Sequence, residues 1–324
     1  MVFAIEARRL TKVYSGRIKA LDGVDLKVDP AEVFAFLGPN GSGKTTLMRI
    51  LTTQFRPTSG EAYSFGFDVV RSGAEVRKII GYVPQETSVW ADISGFENLL
   101  IYSKIYGVPS SKRKRAIWDA LQSMGIEEMA NNMVKTYSGG MVRRLEIACA
   151  LLVKPRILFL DEPTIGLDPS ARKAVWENLT SFKKEYGTTV FFNTHYMDEA
   201  DLYSDEIAII NKGKIVKSGT AFELKQSLRS EILQFYSDNG SEIDERILKN
   251  IKDLSFVSDV TLHDSQLDIV VEDGETALPL VIEILRDAGI SLKKISTARP
   301  TLDDVFMKYA GALHFRGGGY QKSN

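Results

Sequence analysis

The chain has 324 residues, 44% of them hydrophobic and 26% charged, with a formal net charge of −1 at pH 7. That length allows one large domain plus a small one, the composition is ordinary for a globular protein, and the near-neutral balance gives no support to nucleic-acid binding. The single cysteine, Cys149 in "LEIACALL", rules out a disulfide within the chain and points to a reducing compartment; its apolar helical setting reads as a small core residue rather than a catalytic thiol.

The opening "MVFAIEARRL" puts Glu6, Arg8 and Arg9 where a secretory signal would continue its apolar core, so no targeting segment is expected. "VFAIEARRLTKVY" alternates like a half-buried strand, and "ALDGVDLKVDPAEVFAFLG" continues in strands and turns. "FAFLGPNGSGKTTLMRIL" then has Gly38, Gly43, Lys44 and Thr45 at Gly-x4-Gly-Lys-Thr spacing, between an apolar strand and an apolar helix. Such glycines let successive amides curl towards phosphate oxygens, and the helix N-terminus adds partial positive charge. The loop of Gly38, Pro39, Asn40, Gly41, Ser42, Gly43, Lys44, Thr45 and Thr46 is therefore the expected nucleotide-phosphate cradle. Lys44 is expected to reach the β- and γ-phosphates, and the Thr45 hydroxyl to ligate Mg²⁺.

Between about 90 and 150 the pattern turns helical ("FENLLIYSKIYG", "RAIWDALQSMG", "RRLEIACALLV"), which predicts a helical insertion. The basic run "SSKRKRAIW" reads as a solvated helix face. Tyr137-Ser138-Gly139-Gly140 opens the last of these helices as a second anion-type helix start, without a lysine. "RILFLDEP" and "TTVFFNTH" are short, fully apolar β-rich runs, suited to central parallel strands of an α/β sheet. Asp161 ends the first run, at the carboxyl end of a strand where nucleotide sites form; it is assigned to Mg²⁺ through water. Glu162 beside it is the general base or the group that positions the attacking water. "EIAIINKGKIVKSG" predicts a hairpin with a Lys-Gly turn. No stretch approaches eighteen uninterrupted apolar residues, since Lys154-Pro155-Arg156 cuts the nearest, so any membrane span must come from another chain.

After Gly219 the order strand, helix, strand, strand, helix, strand predicts a ferredoxin-like split βαβ domain. Its expected limits are about 230 to 312, after a first domain at 1–225 and before a frayed tail at 313–324. It has no metal-ligand cluster and no phosphate loop, and His263 is isolated. It reads as a dimerisation or regulatory module or a structural lid, with Thr301 as the N-cap of a helix over "TLDDVF".

With these motifs in order, the sequence resembles the ATP-binding cassette (ABC) family over nearly all of residues 1 to 225. The resemblance implies a P-loop NTPase cassette: a parallel-sheet core, an N-terminal antiparallel β subdomain and a helical subdomain. It implies that Tyr14 in "LTKVYSG" stacks on adenine. It also implies that Gln85 in "IGYVPQE" senses Mg²⁺ and the attacking water and contacts a membrane partner. "YSGGM" is similar to the family signature, "GLDP" (with Asp168) to the loop that crosses to the partner subunit, and His195 in "FFNTH" to the switch histidine on the γ-phosphate. The family's two subunits stack head to tail, so Ser138, Gly139 and Gly140 are expected to meet ATP held by Lys44 of the other subunit, in a homodimer or a heterodimer. The signature departs from the family pattern at Tyr137, usually Leu, and at Met141, usually Gln.

"TSVWADISGFENLLIYSKIYGVP" resembles the helical region of ABC-2-type exporters, and the stretch closing in "ARPTLDDVFMKYAG" resembles the accessory domain of drug-resistance-type ATP-binding subunits. The resemblance implies an ATPase powering a membrane exporter at the cytoplasmic face of the membrane, with ATP and Mg²⁺ as cofactors, permease subunits as partners and no nucleic acid. An importer ATPase and a soluble ABC ATPase are the alternatives.

Overall fold

The computed structural model describes residues 2–15, 18–228, 231–237, 244–263, 266–298 and 300–310. The tail expected at 313–324 lies outside them. Strand β1 (Ile5–Tyr14) buries Ile5, Ala7 and Leu10. A register shift between Ala7 and Leu10, with Arg9 at φ 46°, lets a residue pair so spaced face the same core. β1 pairs antiparallel with β2 (Ile18–Val28) and β4 (Ser59–Ser64), and β5 (Phe67–Asp68) completes a four-stranded sheet in the order β2-β1-β4-β5. This is the expected antiparallel subdomain.

The second sheet holds the site. β3 (Val33–Leu37), β6 (Ile80–Val83), β7 (Ile157–Asp161), β8 (Thr189–Thr194), β9 (Glu206–Asn211) and β10 (Lys214–Gly219) lie in the order β10-β9-β3-β8-β7-β6. All neighbours are parallel except β10, which returns antiparallel on β9. β3, β7 and β8 are buried along their whole lengths, as unbroken apolar runs demand. Phe34 stacks on Phe191 at 5.5 Å, and Phe159 meets the same ring at 5.7 Å, so three strands are locked by one aromatic cluster. The β9–β10 turn has Lys212 and Gly213 both at positive φ, a type I′ hairpin turn as the Lys-Gly pair predicts.

The connections supply α1 (Lys44–Leu51), α2 (Gly73–Ile79), α3 (Gly95–Ile105), α4 (Ser110–Ser123), α5 (Gly139–Leu151), α6 (Pro169–Tyr186) and α7 (Met197–Tyr203). α3 starts on a reciprocal capping box of Ser94 and Glu97. α3, α4 and α5 pack on one another as the expected helical insertion. α5 buries Cys149, and burial pushes its thiol well above the ordinary cysteine range.

The chain divides into two units, Met1–Thr220 and Ala221–Asn324. The division falls before the expected boundary at 225, because the helix α8 (Ala221–Gln226) packs on the last helix of the second unit. That unit runs β11 (Glu231–Ser237), α9 (Glu245–Lys252), β12 (Val257–His263), β13 (Gln266–Val271), α10 (Gly274–Asp287), β14 (Leu292–Ala298) and α11 (Leu302–Ala310). Its antiparallel sheet has the order β12-β13-β11-β14, which is the ferredoxin-like arrangement. Thr301 and Asp304 cap α11 reciprocally.

Candidate active site

Four parallel strands end at one edge, and each delivers one part of the site. β3 runs into the Gly38–Thr46 loop, β6 into Pro84-Gln85, β7 into Asp161-Glu162, and β8 into Thr194-His195. Lys44 is buried and donates to the carbonyl of Gly38 at 2.6 Å and of Pro39 at 3.3 Å, closing the loop on itself. Burial lowers the pKa of its ammonium, against the opposing pull of Glu162 and Asp161. Two glycines are required by space: a side chain at Gly38 would strike the Ile210 carbonyl at 2.5 Å, and one at Gly43, which has φ 112°, would strike the Ala20 carbonyl. The hairpin turn braces the loop, with Gly213 N–H donating to the Ser42 carbonyl at 2.9 Å.

The cradle fits a phosphate chain. The Ser42 hydroxyl oxygen is buried without a hydrogen-bond partner in the protein, and such groups are rare unless a ligand satisfies them. Thr45 and Thr46 lie in the first turn of α1, half-buried. The Tyr14 hydroxyl is 3.4 Å from Thr46 Oγ1, which places the predicted adenine-stacking ring beside the cradle.

Asp161 is buried and accepts from Asn193 Nδ2 at 2.7 Å. Burial raises its pKa, while Asn193, Arg49, Arg143 and Lys44 hold it down. A cation placed there would favour the carboxylate further. No group of three or more His, Cys, Asp or Glu capable of holding a metal occurs among the described residues. A single carboxylate with hydroxyl donors suits Mg²⁺, which keeps waters and phosphate oxygens in its shell. Glu162 has φ 51°, a left-handed conformation costing about 1–3 kcal/mol outside glycine. Its N–H donates to Asn193 Oδ1 at 2.7 Å, and its carboxylate Oε2 lies 2.7 Å from His195 Nδ1. The structure thus brings together Lys44, Asp161, Glu162 and His195. Gln85 is exposed, just past the end of β6 next to β7.

The remaining predicted residues form a second group. Ser138 caps α5 by accepting from Met141 N–H at 3.3 Å, and Gly139 is exposed. Asp168 caps α6 through Ser170 and Ala171 N–H, both at 3.0 Å. The two helix starts pack together: a side chain at Gly140 would lie 2.8 Å from Ala171 Cβ, and one at Gly139 3.9 Å from Leu167 Cδ2. The Tyr137 side chain packs within the helical insertion. It is buried, donates to the Met129 carbonyl at 2.6 Å, and occupies space left by Gly95. The departure from the usual leucine is thus accounted for by packing.

Sequence reasoning missed Asn193 and Arg143. Asn193 clamps Asp161 and Glu162 together, and its signal is a polar residue inside the apolar run "TVFFNT". Arg143 reaches the carbonyls of Asp161, Glu162 and Pro163 from α5, and its signal is a charge on the buried face of a helix.

A family model described as ABC transporter matches residues 21–165, and one described as ATP-binding protein DrrA1-3-like, C-terminal domain, matches residues 219–310. The daunorubicin/doxorubicin resistance ATP-binding protein DrrA of Streptomyces peucetius is 38% identical over 95% of this chain and 92% of that protein. The linearmycin resistance ATP-binding protein LnrL of Bacillus subtilis is 31% identical over 95% of this chain and 98% of that protein. Among solved structures, cbiO1 of Clostridium perfringens, part of an ABC transporter complex, superposes with a TM-score of 0.65 at 28% identity, covering 71% of this chain and 94% of its own. A dimeric ATP-binding cassette in a post-hydrolysis state with ADP and Pi gives 0.59 at 28% identity, covering 67% and 98%.

Proposed function

Since the chain belongs to the ABC transporter family, as one of its ATP-binding ATPases, we propose that it powers an ABC-2-type exporter from the inner surface of the membrane. What carries this assignment is that the match to drug-resistance ATP-binding proteins runs through both units, including the C-terminal one. No helix among the described residues is long and apolar enough to cross a membrane, so permease subunits supply the path. In this reading the C-terminal unit is a dimerisation or regulatory module.

Within one chain, Lys44 and the Ser42 hydroxyl hold the β- and γ-phosphates of ATP, the amides of Gly38 to Gly43 line them, and Tyr14 stacks on the base. Thr45, Asp161 and Gln85 would hold Mg²⁺, which when bound neutralises charge on the phosphate oxygens. Glu162 orients the attacking water and takes its proton, and His195 holds that carboxylate in place from Nδ1. Ser138, Gly139, Gly140 and Asp168 serve the nucleotide of a second subunit packed head to tail. Their grouping at two paired helix starts supports that division of labour. ATP then favours the closed pair, hydrolysis releases it, and the permease follows the cycle.

The test is capture of the tagged full-length protein from detergent-solubilised membranes of its own cell, followed by mass spectrometry. A stoichiometric polytopic partner of the ABC-2 permease type supports the exporter. A permease accompanied by a substrate-binding protein, or recovery with ribosomes or nucleic acid, overturns it.

A further inference from the structure

Arg143 and Glu146 are charged residues on the inward face of α5, each less than a tenth exposed. All five N–H bonds of the Arg143 guanidinium are used. Nε donates to the Pro163 carbonyl at 2.7 Å, and Nη2 to the carbonyls of Asp161 at 2.9 Å and Glu162 at 3.2 Å. Nη1 donates to the Pro84 carbonyl at 2.8 Å and to Glu146 Oε2 at 2.9 Å. The other oxygen of Glu146 accepts from the backbone N–H of Ser88 at 2.5 Å and from its hydroxyl at 3.2 Å. The Ser88 carbonyl in turn accepts from Tyr102 on α3 at 2.6 Å.

One side-chain pair therefore joins three segments: the helix that begins at Ser138, the loop from Pro84 to Ser88 that contains Gln85, and the turn at Glu162. A buried ion pair is a poor source of stability, because desolvation of both charges offsets their attraction. What this pair adds is geometry. Three consecutive carbonyls are gripped by one planar fork, across a turn whose middle residue, Glu162, sits in the left-handed region. Lysine, with one ammonium and no fork, cannot reproduce that grip.

We propose that Arg143 and Glu146 are a positioning pair that fixes the Glu162 turn to the Gln85 loop, so that the carboxylate is aimed for hydrolysis only when that loop is seated. This rests on the assignment of Glu162 to the attacking water. The loop's neighbour Trp90 is also tied to α3, its N–H donating to Asn98 Oδ1 at 2.8 Å and its carbonyl accepting from Asn98 Nδ2 at 3.0 Å.

The experiment uses the full chain with Mg²⁺ and ATP, comparing Arg143→Lys and Glu146→Gln with the parent. Steady-state kinetics are run beside an independent measure of nucleotide affinity and binding stoichiometry. Misplacing a catalytic group costs turnover rather than binding, so kcat per bound site should fall about tenfold or more while KM and Kd stay within about threefold. The double variant should be no slower than Arg143→Lys alone, since both changes break one unit. A purely structural role would lower the fraction of chains that bind nucleotide and leave kcat per bound site alone, which overturns the proposal. So does a loss confined to KM. Glu146→Gln keeps volume and the acceptor for Ser88 but sets an amide N–H against Arg143, so it decides the matter if Arg143→Lys does not fold. Glu162→Gln is measured alongside. If it retains turnover, the assignment of Glu162 falls; if it abolishes turnover while both other variants keep theirs, only the positioning pair falls.

Discussion

His195 Nδ1 and Glu162 Oε2 lie 2.7 Å apart, joining the end of β8 to the turn after β7. Glutamine at 162 keeps the shape and loses the base. Glu162→Gln is expected to lower kcat by roughly 10²-fold or more, the typical scale for a general base, and to accumulate an ATP-bound dimer visible by size-exclusion chromatography. His195→Ala leaves Glu162 without its neighbour and should slow single-turnover hydrolysis while nucleotide still binds. Unchanged steady-state hydrolysis in Glu162→Gln would remove that residue from the mechanism.

Chelation should separate binding from chemistry. Excess EDTA is expected to abolish hydrolysis, with nucleotide still bound by Lys44 and the loop amides. Asp161→Asn preserves an acceptor for Asn193 but not the charge. The Mg²⁺ concentration for half-maximal rate should rise about tenfold, as for an outer-shell carboxylate. An unaltered Mg²⁺ titration curve would show that Asp161 serves only the fold.

The tyrosine in the signature is a packing residue in this structure, so its removal should be felt in stability. Tyr137→Phe strands the Met129 carbonyl, at a cost of about 1 kcal/mol, with kcat kept. Gly95→Ala forces a methyl group against the Tyr137 hydroxyl and should lower Tm further. The pair Gly95→Ala with Tyr137→Phe should recover part of that loss, because the clashing oxygen is gone. Denaturant midpoints of the four proteins test this; strictly additive losses would contradict it.

Glu32 gives a pH dependence. Burial, reinforced by Glu206, Asp29 and Asp205 and opposed by the Asp29 N–H, lifts its carboxyl from 4.5 to about 7. The folded chain thus holds this proton more tightly than the unfolded chain between those values. Stability from this group is present below about 4.5 and is lost as pH rises through about 7. Glu32→Gln removes the charge, so its Tm advantage should be near zero at pH 5 and largest at pH 8. An advantage independent of pH would refute the assignment.

Much of the fold was legible because it is written in local patterns. The phosphate loop is a fixed spacing between a strand and a helix, the Lys-Gly turn sits between two strands, and the C-terminal unit is a sequence of alternating periods. What was not legible depends on partners far apart in the chain. Asn193 matters because β8 lies beside β7, which puts its amide between Asp161 and Glu162. Arg143 matters because it reaches from α5 to carbonyls at or just past the ends of β6 and β7, and its place on the buried face of "MVRRLEIA" does not say which partners it meets there. Tyr137 reads as a deviation from a motif until Gly95, far upstream, is seen to make room for it. The bulge at Arg9 and the packing of α8 with α11 are likewise decided by tertiary contacts rather than by propensity.

Cys149 has a practical consequence. It is the sole thiol in 324 residues, it is buried, and its pKa is raised well above the ordinary range, so it is a poor nucleophile towards maleimides or methanethiosulfonates. The unaltered chain is therefore already a near-silent background for spin or fluorescent labelling. A cysteine placed at an exposed site such as Leu202, which is 72% exposed, becomes the one reactive handle per subunit. Opening and closing of the proposed nucleotide-bound pair would then be readable as an inter-label distance, without first stripping thiols from the protein.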